Sequence, residues 1–545
     1  MSHRRVTLGL AGAALVAGVL STVGASASTG LCVGGAGCYP TLQRAVDAAR
    51  DGDTIHVNAG TFGGGVTITK SITIAGASAS SSRISGGGPV VTIGSAATAP
   101  TVTVSDLTIT GGLTTRDPEA PRCGPDNSCA DGYASATALG GGIEAFPHST
   151  VTLLHVTVTG NQAVPARSVP SAKAECETGP CPASFGDGAG IDVWGAMTLI
   201  DSAVTDNHAA AVQSNGGGIT VEHEASLTLQ GSQVTGNSAS AAAPTGRFVS
   251  GGGIFVDAGA SLIVDHSSID GNTASLASSF ASPFPRQGGS PDQTNAYAGG
   301  VFLNDGSRAS ITSSTLNGNR VGVAASQAQP YGADAALCAC GNVPLTISNT
   351  TIDGNSVTVN VLSSDSNGAS GGALESDGSS TTIAGTHIDG NSTTVSTTSG
   401  SAAAVGAVAF FPAESTAQTL EGSTVSGNSA IANAASGPAS VVGAGLVDNG
   451  TLNVSSTTIA GNKGAANGKD GSWAQGGGVW NGQLYGGATS ALTLTGSSVT
   501  GNVLSGSPGA TLLGGGIFNQ GGAAFTVALH DTVLAHNAPD QCEGC

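Results

Sequence analysis

The sequence predicts an all-β chain wound as a parallel solenoid. Three observations carry this expectation: a glycine-led strand start that recurs down the chain, alternation of apolar and polar residues after it, and an Asn that closes each copy. Residues 250–272, SGGGIFVDAGASLIVDHSSIDGN, contain all three. Composition agrees. Gly supplies 86 of 545 residues, while charged residues make up 9% and aromatic residues 4%. A hydrophobic share of 39% excludes a disordered chain, and apolar matter drawn mostly from Val, Ile, Leu and Ala beside many Thr and Ser favours strands.

The repeat can be aligned on its closing residue: Asn161, Asn207, Asn237, Asn272, Asn319, Asn355, Asn391, Asn428, Asn462, Asn502 and Asn537. Three residues earlier every copy carries an aliphatic side chain, and five residues earlier Ser or Thr occurs in all but the first, which has Val156. Upstream stands GGGI at Gly140, Gly216, Gly251 and Gly514, with variants at Gly188, Gly299, Gly371, Gly443 and Gly476. Between the two signatures the period is two, as in Ser226-Leu227-Thr228-Leu229. Each unit is therefore expected to hold about three short strands. One unit cannot bury its own apolar edge, whereas stacked units share a core. Stacked Asn side chains would then hydrogen-bond from coil to coil as a ladder.

The ends read differently. Arg4 and Arg5, the apolar run 6–19 and Ala25-Ser26-Ala27 fit a secretory signal peptide over residues 1–27, leaving 28–545 as one domain. The apolar run is too short for a membrane span, and no later segment is apolar enough, so a released extracellular protein is expected. In segment 41–50, Leu42, Ala45, Val46 and Ala49 form one helical stripe suited to capping the first coil. The segment TVTVSDLTITGG, residues 101–112, reads as a degenerate coil with Gly112 at the Asn position.

Ten cysteines fall into five close pairs: Cys32/Cys38, Cys123/Cys129, Cys176/Cys181, Cys338/Cys340 and Cys542/Cys545. In an exported chain these read as local disulfides. Zinc is the rival reading, but no pair comes with the His or second Cys-x-x-Cys of a structural site. With the signal removed, 14 Lys and Arg stand against 35 Asp and Glu, a formal charge of −21. Such a surface repels nucleic acid and anionic membrane, and favours a neutral glycan or an anionic one bridged by calcium. No cofactor is otherwise expected.

The segment CYPTLQRAVDAARDGDTIHVNAGTF, the GGGI and TGN signatures and the closing TVLAHNAPDQC resemble secreted right-handed parallel β-helix proteins. The resemblance is to a pectate-lyase-like architecture, with a repeat style similar to polymorphic outer-membrane adhesins. It implies a right-handed parallel β-helix with a short N-terminal capping helix. It implies little about activity, because this fold hosts lyases, hydrolases, adhesins and inert surface proteins. No translocator-like segment follows, so self-anchoring is not expected.

Function is sought where the copies disagree. Insertions at 113–139, 162–187, 273–298 and 320–342 interrupt the repeat at one equivalent point and are expected as long loops along one edge. They serve either binding or nothing. Beside them, residues alternating with the inward aliphatics form an outward strip: Glu144 and Phe146, Asp192 and Trp194, Thr220 and Glu222, Phe255 and Asp257, Phe302 and Asn304. Aromatic faces suit sugar rings, so Phe146, Trp194, Phe255, Asp257 and Phe302 are the candidate ligand-binding residues. Glu144, Asp192 and Glu222 are the candidate catalytic carboxylates, since paired carboxyls serve glycoside hydrolysis. The bland reading is that the aromatic is a repeat habit under a loop, Trp480 and Phe518 sharing its position. Three functions follow: a non-catalytic binder of glycans or a cell surface, a polysaccharide-degrading enzyme, and a purely structural rod. The motifs expected of a polygalacturonase, Gly-His-Gly and Arg-Ile-Lys, are absent.

Overall fold

The computed structural model describes residues 30–545 apart from 116–135, 166–183, 242–247, 279–292, 328, 364–366, 379, 412–415 and 485–488. The signal segment and the pairs Cys123/Cys129 and Cys176/Cys181 lie outside the described residues. The chain is a right-handed parallel β-helix. Among the described residues every pairing between its strands is parallel, and the strands of successive coils stack in register, as Val151, Met197, Leu227, Leu262 and Ala309 do.

One coil shows the plan. Ser226–Gln230 and Gln233–Thr235 form two faces of the solenoid, Ser238–Ala241 leaves it, Phe248–Ser250 returns, and Ile254–Val256 forms the third face. Copies of the first strand build a 15-stranded sheet, and the glycine-led strands a 14-stranded one. The outgoing and returning strands build an 11-stranded sheet each. Most coils thus carry five strands where the repeat suggested three. Inside the three faces lies one continuous core of Val, Ile and Leu.

Each of the four predicted loops has strand in its described residues. Their described parts include Leu113–Thr114 and Ala136–Leu139, Gln162–Ala163 and Ser184–Asp187, Thr273–Ser278 and Gln293–Tyr297, and Arg320–Gln327 with Gln329–Ala333. The later connections do the same, as in Ser392–Thr397 with Ala402–Val405. The two 11-stranded sheets therefore form a wing on the solenoid. Its own thin core is made of small residues, including Ala239, Val249, Val357, Val359, Ala404 and Ala432.

The Asn ladder is present along its full length. Asn207 Nδ2 donates to Asn237 Oδ1 at 3.0 Å and to the Val158 carbonyl at 3.0 Å, while its backbone N–H donates to the same Asn237 oxygen at 3.1 Å. The pattern repeats to Asn537, whose amide ends on Gln541 Oε1 at 2.9 Å. Gly112 occupies the Asn position below, donating its N–H to Asn161 Oδ1 at 2.9 Å. The Ser or Thr five residues earlier stacks likewise, Ser202 N–H donating to Ser232 Oγ at 3.1 Å and Ser232 N–H to Ser267 Oγ at 3.0 Å.

The glycine run has a steric cause. A Cβ on Gly142 would sit 2.5 Å from the Gly190 carbonyl oxygen and 2.9 Å from Asn161 Nδ2, so the backbone of one coil rests on the next. At the open end Leu42–Ala48 forms a helix capped by Thr41 and buries Leu42, Ala45 and Val46. Lys70 Nζ donates to the carbonyls of Val46, Asp47 and Ala49 at 2.6–3.0 Å and holds the helix end. The cysteine sulfurs of Cys32/Cys38, Cys338/Cys340 and Cys542/Cys545 are bonded.

Candidate functional site

The wing meets the solenoid where each returning strand turns into the glycine-led strand. Here the outward side of the glycine sheet faces a corner rather than open solvent. The register places Glu144, Asp192, Thr220, Phe255, Phe302, Cys338 and Glu375 in one column. The next column begins Phe146, Trp194, Glu222, Asp257 and Asn304.

The first column is covered, which corrects the expectation of an exposed strip. Glu144 is 4% exposed, Asp192 0%, Phe255 9% and Phe302 5%. Phe255 and Phe302 stack with ring centroids 5.4 Å apart and planes 4° from parallel. Phe248 and Tyr297, from returning strands, close over Phe302 with centroids at 6.3 and 5.9 Å. Phe255 and Phe302 are therefore packing residues and offer no face to a sugar. Trp480 and Phe518 are buried in the same way further along. What reaches solvent is the second column: Trp194, 37% exposed, and half-buried Phe146, Glu222, Asp257 and Asn304.

Two groups of carboxyls punctuate the corner. In the first, Asp192 is the register partner of Glu144, and Trp194 Nε1 donates to Asp192 Oδ2 at 2.8 Å. Burial raises the Asp192 carboxyl to about 7, with Asp187 and Glu144 adding like charge. Glu222, one coil along, is pushed up to about 9 by burial, by the charge of Asp192 and by that of Asp257. Asp187, at the end of the returning strand, is raised well above the carboxylate range by burial and then by Glu222. Asn304 Nδ2 donates to Asp257 Oδ1 at 2.9 Å. A half-buried carboxyl that keeps its proton at neutral pH thus stands between a buried carboxyl pair and an accessible Asp, with an exposed indole beside it. That arrangement can donate a proton to a bound group and return it.

The second group, Asp334, Glu375 and Asp377, was not anticipated, nor was Asp187. The strand Leu374–Asp377 supplies two of the three. Asp334 takes the place that opens the glycine run in most coils, at φ 62. A Cβ on Gly371 of the next coil would collide with Asp334 Oδ1. Ser370 Oγ donates to Glu375 Oε2, and the Tyr331 hydroxyl bonds Ser370 Oγ. Burial raises Asp334 well above the carboxylate range, Glu375 to about 8 and Asp377 to about 6. The sequence signal was the break in the repeat itself: residues 334–336 read Asp-Ala-Ala where most coils carry two or three glycines.

Elsewhere, an uncharged groove of about 580 Å³ runs along the outer end of the wing, lined by Ala324, Asn360, Leu362, Thr398, Asn433 and Asn467 among others. Leu362 is 62% exposed.

No protein-family model matches the sequence, and no curated protein matches it. Solved structures do. The chain is similar to a pectin methylesterase crystallised with a hexasaccharide, at 12% identity over 61% of this chain and 80% of that one, with a TM-score of 0.24. It is also similar to the Agl-KA catalytic domain, at 12% identity over 93% and 69%, TM-score 0.34. A third is the A-module of the Azotobacter vinelandii mannuronan C-5 epimerase AlgE6, at 14% over 92% and 94%, TM-score 0.28. These likenesses concern the winding of the chain.

Proposed function

We propose that this β-helix protein acts outside the cell on a neutral polysaccharide, at the corner where Trp194 and Glu222 reach solvent. The observation that carries the reading is the Glu222–Asp192 carboxyl pair, held near and above neutrality beside an exposed indole. Trp194 offers a ring to a sugar face while its Nε1 fixes Asp192. Glu222, protonated at neutral pH, donates to the glycosidic oxygen as the bond to the anomeric carbon breaks. Asp257 lies one coil along, its backbone about 5 Å away. It takes the proton from the water that adds to that carbon, or adds first itself as nucleophile. Buried Asp192 touches no substrate and is a positioning residue. The acidic corner and a formal charge of −19, or −21 once residues 1–27 are removed, both disfavour an anionic chain.

The test is release of new reducing ends from a panel of neutral polysaccharides by the mature protein. Glu222→Gln is expected to lower the rate about 10²–10⁴-fold while retention on the substrate persists. Absence of release from every neutral substrate contradicts the reading. Non-catalytic binding is the second reading, favoured by the uncharged wing groove. In that case retention is unchanged in Glu222→Gln and lost in Leu362→Asp.

A further inference from the structure

Cys338 and Cys340 are bonded to each other with one residue between them. A bond that closes so short a loop removes little entropy from the unfolded chain. The strand that carries the pair is already held from both sides, since Leu337–Ala339 pairs with Val301–Leu303 and with Leu374–Asp377. The equivalent places hold Phe302 and Asn304 in one neighbouring coil and Glu375 and Asp377 in the other, and those coils wind the same way without a crosslink. The fold therefore has little use for this bond.

Its surroundings suit exchange. Cys338 is buried, packed in one cluster with Phe302 and in register with Glu375 on the other side. Cys340 is half-buried, in the column that reaches solvent. An Asp334 carboxylate oxygen and the two sulfurs all lie within 4.8 Å of one another. Burial raises the Asp334 carboxyl, and so do the like charges of Glu375 and Asp377 and a hydrogen bond with Glu375. Glu375 itself is pushed up to about 8, so the Asp334–Glu375 pair holds a proton at neutral pH. None of the described groups acting on these carboxyls is cationic. Asp305, which accepts the Asn342 N–H at 2.7 Å two residues past Cys340, adds a further acid. A thiolate released at Cys338 would be buried among acids, and it needs a proton at once.

We propose that Cys338–Cys340 is an exchange disulfide for external dithiols, with Asp334 as the acid that protonates Cys338. A thiolate of the dithiol attacks Cys340 Sγ, the more accessible sulfur. A new S–S bond forms as the Cys338–Cys340 bond breaks, and Cys338 Sγ leaves with the electron pair and takes the proton of the carboxyl pair. The second thiol of the reductant returns a proton to that pair, and its sulfur displaces Cys340, which is protonated from water. The dithiol ends as a disulfide and the protein as a dithiol, two electrons having passed between them. The acidic surroundings favour an uncharged dithiol over an anionic one. Neither Trp194 nor Glu222 takes part, so the exchange is independent of the glycan reading.

For the test, the oxidised mature protein is mixed with dithiothreitol, open thiols are trapped with iodoacetamide, and each cysteine pair is followed by peptide mass spectrometry. Cys338/Cys340 is expected to open in the folded protein about tenfold or more faster than Cys32/Cys38 in the same molecules. Per unit of thiolate, its rate is expected to fall as pH rises through about 8, where the carboxyl pair loses its proton. Asp334→Asn slows opening about 10²-fold and removes that pH dependence. Asp334→Gly, which installs the glycine that opens the run in most coils, does the same and keeps the fold. The double variant Cys338→Ala with Cys340→Ser keeps the wild-type Tm. Three results would each overturn the proposal in favour of a bracing bond: opening only on unfolding, a rate and pH profile unchanged in both Asp334 variants, or a Tm lowered by several degrees in the cysteine variant.

Discussion

A single residue type does most of the work of joining coils. Each interior Asn of the ladder accepts two hydrogen bonds at Oδ1 and donates two from Nδ2 while buried, as Asn319 does toward Asn355, Ile269 and Asn272. Asn319→Ala removes the acceptor of the Asn272 N–H and Nδ2 in the preceding coil and the donor to the Ile269 carbonyl and Asn355 Oδ1, at about 1–3 kcal/mol for each group left unpaired. A clear fall in Tm is expected, larger than for Asn→Ala at a surface position such as Asn467. The carboxyls give a second prediction at this scale. Glu222 binds its proton more tightly when folded, at about 9 against an ordinary 4.5. The folded state therefore holds more protons than the unfolded one between those values, and stability falls as pH rises through that window. Glu222→Gln is expected to flatten this region of the Tm–pH curve. The ladder was legible in the sequence because eleven equivalent Asn can only stack. The raised carboxyls were not, since the alternation that placed Asp192 outward does not reveal that a returning strand covers it.

At the scale of elements, the wing is the main departure from the sequence reading. Segments such as SASA at 238–241 and SAIANA at 429–434 are small and weakly apolar, and read as connections. They become strands because each pairs in register with its equivalent above and below, and because Ala and Val on facing strands fill a thin interior. The glycine-led strand was legible, but its glycines divide into two kinds. At Gly253 a Cβ would lie 2.7 Å from the Gly300 carbonyl oxygen and 2.9 Å from Asn272 Nδ2. At Gly271, with φ 64, a Cβ meets nothing within 4 Å. Gly271→Ala should cost only the left-handed penalty, about 1–2 kcal/mol, whereas Gly253→Ala should force adjacent coils apart and yield little folded protein. Chemical denaturation of both variants distinguishes the two causes.

At the scale of the molecule, repetition supplies a rigid frame, and its corner carries whatever differs from coil to coil. Along that corner the chain passes from carboxyls around Asp192 to the Phe255–Phe302 stack, to carboxyls around Asp334, and then to the apolar run ending at Phe518. The repeats gave away the frame, and the residues that break them marked the sites. The capping helix and the closing Gln541 of the ladder finish its two ends. The glycan reading places one bound chain over one opening in this frame, so it is tested most directly by a crystal structure of Glu222→Gln with neutral oligosaccharides bound. The account predicts a sugar ring on Trp194, with a glycosidic oxygen within hydrogen-bonding distance of residue 222 and Asp257 facing the anomeric carbon. Saccharide found only in the wing groove beside Leu362, with the corner closed, would contradict it.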